Sequence, residues 1–108
     1  MRESKRRKLE AAGWKLGSAA DFLGLTKEEE SLVEIKLALA NKLRARRQQE
    51  KLTQSDVARK VGSSQSRVAK MEIADESVSL DLLVRSLLSL GATRHDIASV
   101  IDAGVAQH

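Results

Sequence analysis

Five times along this chain a Ser or Thr stands directly ahead of an apolar run of helical period. At three of these, Thr26, Thr53 and Thr93, an acid follows three residues later at Glu29, Asp56 and Asp96. A hydroxyl residue with an acid at that spacing satisfies N–H groups that the first turn of an α-helix leaves without partners, so each pair predicts a helix start. Ser64 and Ser79 offer the same acceptor without the reciprocal acid. Helices are therefore expected from Lys27 to about Glu50, across an eight-residue segment from Gln54 to Val61, from Gln65 to about Ala74, from Leu80 to Leu90, and from Arg94 to about Ala103. Gly62 closes the second and Gly91 the fourth. There is no Pro, and no alternating run that would make a strand. The predicted fold class is all-α, a compact bundle of five or more helices.

A chain of 108 residues is expected to form one domain around one modest core. Residues 1–25 read as a partly helical N-terminal extension that packs on the domain formed by 26–108. In the extension Trp14, Leu16, Phe22, Leu23 and Leu25 lie between glycines, as short helix and turns laying apolar groups on a surface. Leu32, Ile35, Leu39 and Leu43 make one stripe on the long helix, and Val33, Leu37 and Ala40 a second. The extra stripe calls for cover by the Trp14 segment or by a second subunit. In the next helices Val57, Ala58, Val61, Val68 and Met71 face inward, as do Leu80, Leu83, Val84, Leu87 and Leu88, then Ile97, Val100 and Ile101. Leu82 and Leu90 are left as exposed apolar positions, suited either to a subunit interface or to ordinary packing.

Several function classes are short of parts. There is no Cys, and His95 and His108 are the only histidines, so thiolate chemistry, a His-rich metal site and a His-based triad have little to be built from. No metal and no cofactor are expected, and the chain does not read as an enzyme. The charged run Arg2 to Lys8 has no apolar segment behind it, and no apolar run nears the roughly 20 residues of a membrane span. A soluble, cytoplasmic protein is expected. The net charge is +4 and the pI about 9.7, which suits a polyanion. Lys42, Arg44, Arg46, Arg47, Lys51, Arg59, Lys60, Arg67 and Lys70 crowd the middle of the chain, with acids on both sides.

That middle contains LTQSDVARKVGSSQSRVAKME, from Leu52 to Glu72. A short helix, a tight turn with a glycine and a second short helix make the geometry of two helices crossing steeply. Ala58 keeps the crossing close, and Gly62 can take the positive φ of the turn. The segment resembles the helix-turn-helix of the phage-repressor-like (XRE) family, over about Leu39 to Leu90. The resemblance implies a lambda-repressor-like DNA-binding domain with the second motif helix in the major groove. It implies DNA contacts by Gln54, Ser64, Gln65, Ser66, Arg67 and Lys70, with Gln54 at a phosphate. It also implies a structural ion pair between Arg47 and Glu72. The chemistry suits those positions: Gln65 can pair bidentately with adenine and Arg67 with guanine, while Ser64 or Ser66 can bond a base edge or a phosphate. Lys70 is placed for a phosphate. Asp75 and Glu76 depart from the family pattern, which argues against a phosphate contact by the loop that holds them.

Such a domain covers one half-site, so the resemblance implies a homodimer on a palindromic double-stranded operator. The order of parts, an N-terminal GWKLGSAADFLGLTKEEESLVEIKLALANKL ahead of the motif, looks like the HigA-like antitoxins. That likeness implies a dimeric repressor of its own promoter with a ribonuclease toxin as partner, and Trp14 and Phe22 are the candidate partner-binding anchors. The alternatives are a phage- or chromosome-encoded repressor without a toxin, a bridging protein that uses the motif to hold other proteins, RNA binding by Arg2 to Lys8, and a nuclease using Asp21, Glu28 or Asp96. Position at helix starts accounts for those three acids without catalysis.

Overall fold

The computed structural model describes residues 24–103, which hold helices and turns and no strand. The described helices are α1 Lys27–Gln49, α2 Gln54–Val61, α3 Gln65–Glu72, α4 Leu80–Ser89 and α5 Arg94–Ala103. The chain divides into two units, Met1–Glu34 and Ile35–His108, whose boundary falls inside α1. Trp14, Phe22, the run Arg2 to Lys8 and His108 lie outside the described residues.

Each helix starts at the hydroxyl residue that announced it. The Thr53 N–H donates to Asp56 Oδ2 at 2.8 Å while the Asp56 N–H donates to Thr53 Oγ1 at 3.0 Å. The same reciprocal pair joins Thr93 to Asp96 at 2.9 and 3.0 Å, and Thr26 to Glu29 at 2.8 and 3.1 Å. Ser64 accepts from the Arg67 N–H at 3.2 Å and Ser79 from the Leu82 N–H at 3.1 Å.

Three helix ends share one device. After α1 the Leu52 N–H reaches the Arg47 carbonyl and the Lys51 N–H the Gln48 carbonyl, both at 3.0 Å. After α3 Asp75 reaches Lys70 at 3.0 Å and Ala74 reaches Met71 at 3.1 Å, and after α4 Ala92 and Gly91 do the same to Leu87 and Leu88. This double closure needs a left-handed residue, and Lys51, Ala74 and Gly91 take φ of 59°, 53° and 94°. The expectation that α3 runs to Ala74 is thereby corrected. It stops at Glu72 because Ala74 is the left-handed residue that turns the chain.

The core is drawn from every described helix: Leu39 and Leu43 of α1, Val57 and Ala58 of α2, Val68 and Met71 of α3, Leu83 and Leu87 of α4, and Ile97 of α5. From Ile35 onward both stripes of α1 feed this cluster, with Ile35 and Leu37 half-buried at its margin. Four burial expectations are corrected. Leu90 is buried, 5% exposed, and belongs to the core rather than to an open surface. Leu88 is 44% exposed rather than inward. Leu90 lies just past the end of α4 at Ser89, where the closing turn carries it inward, while Leu88 is within α4 on a side that the core does not cover. Leu82, expected to be exposed, is half-buried against the core, and Ile101 on α5, expected to face inward, is 40% exposed.

Candidate nucleic-acid interface

α2 and α3 are joined by three residues, Gly62, Ser63 and Ser64. Gly62 sits at φ 71°, ψ 41°, and its N–H donates to the Ala58 carbonyl. A Cβ there would meet nothing within 4 Å, so backbone conformation alone favours glycine. The turn lays α3 against α2, with Val57 and Ala58 on one side and Val68 and Met71 on the other taken into the core.

Burial splits α3 into two faces. Val68, Met71 and Glu72 are buried, whereas Gln65, Ser66, Arg67 and Lys70 are exposed. Of the residues singled out from the sequence, these four therefore share one solvent-facing surface with Ser64 at its head. The Ser64 hydroxyl already accepts the Arg67 N–H as the cap of α3 and lies 3.3 Å from the Ser66 hydroxyl.

Beneath this surface Glu72 is a buried carboxylate that accepts from three donors. Arg47 from α1 approaches through two nitrogens, Nε to Glu72 Oε2 at 2.5 Å and Nη2 to Oε1 at 3.0 Å. Its third, Nη1, donates to the Leu52 carbonyl at 3.0 Å. The side chains are 17% and 3% exposed. A forked guanidinium against a carboxylate is the strong geometry for such a pair, and it ties α1, the turn before α2 and the last residue of α3 together. The hydrogen bond with Glu72 holds the Arg47 pKa above its ordinary value, burial opposing and the opposite charge reinforcing.

Gln54, the first residue of α2, is half-buried. Its Nε2 donates to Glu72 Oε1 at 3.2 Å, and its Oε1 accepts from Gln65 Nε2 at 2.6 Å. Sequence reasoning placed Gln54 and Gln65 in the motif but not in contact; the signal was that each opens its helix. It also missed Arg46, whose Nε donates to the Leu90 carbonyl at 2.8 Å. A Cβ on Gly91 would come within 3.1 Å of that guanidinium.

Asp75 does local work: its carboxylate accepts from the Ser77 N–H at 3.0 Å and the Ser77 hydroxyl at 2.5 Å, and its carbonyl accepts from Lys36 Nζ at 3.3 Å. Asp96 serves as the α5 cap, Glu28 is exposed in the first turn of α1, and Asp21 lies outside the described residues. Among the described residues no three His, Cys, Asp or Glu are grouped to hold a metal, and no helix is long and apolar enough to cross a membrane.

A family model described as a helix-turn-helix domain matches residues 38–100, more than half of the chain. No curated protein and no solved structure was found to match it.

Proposed function

Because the chain belongs to the helix-turn-helix domain family and is thereby a DNA-binding regulator, we propose that it binds a specific double-stranded sequence through α3 and represses transcription as a homodimer. One observation carries this reading: the two-faced α3, whose buried side is anchored by Val68, Met71 and Glu72 while Gln65, Ser66, Arg67 and Lys70 face solvent together. Helices that enter the major groove need such an arrangement, since the base-reading side chains must project from a backbone held by the core. Gln65 and Arg67 supply base-edge contacts, Lys70 a phosphate contact, and Ser64 and Ser66 either. The second N–H of Gln54 serves a phosphate at the start of α2.

The finer reading is an autoregulating antitoxin of the cytoplasm, with a ribonuclease toxin bound by the N-terminal segment of the sequence that contains Trp14 and Phe22. It is supported by the order of parts in the sequence. Co-purification with the product of an adjacent gene tests it, and a protein that represses without any such partner returns it to the plain repressor.

Gel shift of the purified protein on its own upstream DNA against random DNA of equal length, at two salt concentrations, tests the main reading. A large preference for its own promoter is expected. Equal, salt-sensitive binding to both would overturn sequence-specific repression in favour of non-specific or bridging roles.

A further inference from the structure

Four side chains form one continuous line from α1 to the exposed head of α3: Arg47 to Glu72, Glu72 to Gln54, Gln54 to Gln65. Their chemistry gives the line a direction. An ionised carboxylate only accepts hydrogen bonds, and a primary amide accepts at one end and donates at the other. Glu72, 4% exposed and accepting from two nitrogens of the Arg47 fork, therefore admits only the NH₂ end of Gln54. That turns the Gln54 carbonyl toward Gln65, where it admits only the NH₂ end of Gln65, the contact observed at 2.6 Å. Gln65 is left facing solvent with its carbonyl and its second N–H, neither taken by a described residue.

We propose that Glu72 is a positioning residue for base recognition, its buried carboxylate setting the donor–acceptor direction of the Gln54–Gln65 pair so that Gln65 meets DNA as one acceptor and one donor. That pattern complements adenine, which offers a donor at N6 and an acceptor at N7, and not guanine, which offers two acceptors. With a neutral amide in place of Glu72 the line can run in either direction. In the reversed state the whole NH₂ group of Gln65 faces outward and suits guanine. The inference rests on the reading that α3 enters the major groove.

Selection of bound sites from a random-sequence duplex library, with the wild type and with Glu72→Gln, Gln54→Ala and Gln65→Ala, tests it. The wild type is expected to enrich a half-site with an adenine at the position that Gln65→Ala no longer specifies. Glu72→Gln and Gln54→Ala are expected to select the same half-site with the adenine-over-guanine preference at that position reduced by about tenfold, the scale of one bidentate contact. Gln54→Ala leaves the Arg47–Glu72 pair intact and so covers the case in which Glu72→Gln does not fold. If both variants fold and keep the full preference, or weaken all sequences equally, the positioning role is overturned. Failure of the wild type to enrich any site would instead overturn the major-groove reading and the adenine preference drawn from it. The relay itself is read in the free protein by side-chain amide exchange. The Gln54 and Gln65 NH₂ protons are expected to exchange more slowly than those of exposed Gln48 and Gln49, and to lose that protection in Glu72→Gln. Exchange as fast as Gln48 in the wild type overturns the relay whatever DNA is bound.

Discussion

Arg67 and Lys70 are both exposed on α3, and the proposed DNA contact gives them different tasks, because a guanidinium fork can match a base edge and an ammonium acts as a point charge. Arg67→Ala is expected to relax the sequence preference at one base pair. Lys70→Ala is expected to weaken specific and random DNA alike and to lower the salt dependence of binding by about one counterion. Identical behaviour of the two on both DNAs would refute the division. Beneath them, loss of either Arg47 or Glu72 strands a charge that the fold has taken from water. Each single alanine is expected to cost about 3 kcal/mol of stability, and the double variant clearly less than the sum of the two. Denaturant midpoints of the four proteins check this, and additivity would remove the coupling.

The helices owe their boundaries to contacts made within a few residues, which is why so many were legible beforehand. At Asp56 the carboxyl pKa lies below its ordinary value of 3.8, because it accepts first from the Thr53 backbone N–H, then from the Thr53 hydroxyl and Arg59. Asp96 is lowered likewise by Thr93, with Lys42 and Arg46 adding to it. A carboxyl with a lowered folded-state pKa stabilises the fold fully above its unfolded value and ceases to do so as it protonates. The advantage of the wild type over Asp56→Ala is thus expected to be constant near neutral pH and to shrink as pH falls below 3.8. Denaturant titrations of both proteins across that range would show it, and a gap that persists in acid would mean that the cap does not depend on charge. The helix ends behave differently, for Lys51 is exposed and sits at φ 59°. A left-handed L-residue costs about 1–2 kcal/mol, against the greater chain entropy that glycine loses. Lys51→Gly is expected to raise stability by about 0.5–1 kcal/mol in thermal or chemical unfolding, and a loss of stability would count against it.

For the molecule as a whole, the proposed recognition by one α3 would cover a half-site, so the proposed dimer is expected to require two half-sites with centres about 34–36 Å apart. Inserting five base pairs between them, about half a helical turn, is expected to abolish cooperative binding, and unchanged binding would argue for monomers. What the sequence by itself determined is everything that depends on near neighbours: the all-α class, the capped starts of the described helices, the glycine turn at Gly62, and the inward phase of Val57, Ala58, Val68 and Met71. Periodicity and capping act over three or four residues and can be read without knowing where the chain goes next. Only the tertiary structure decided that Leu90 closes the core while Leu88 faces water, since that depends on which side of α4 and of its closing turn the other helices cover. It also decided that Arg46 secures the Leu90 carbonyl and that Glu72, Gln54 and Gln65 stand in line. Those contacts join groups 44, 18 and 11 positions apart, and their geometry exists only once α1, α2, α3 and α4 have packed.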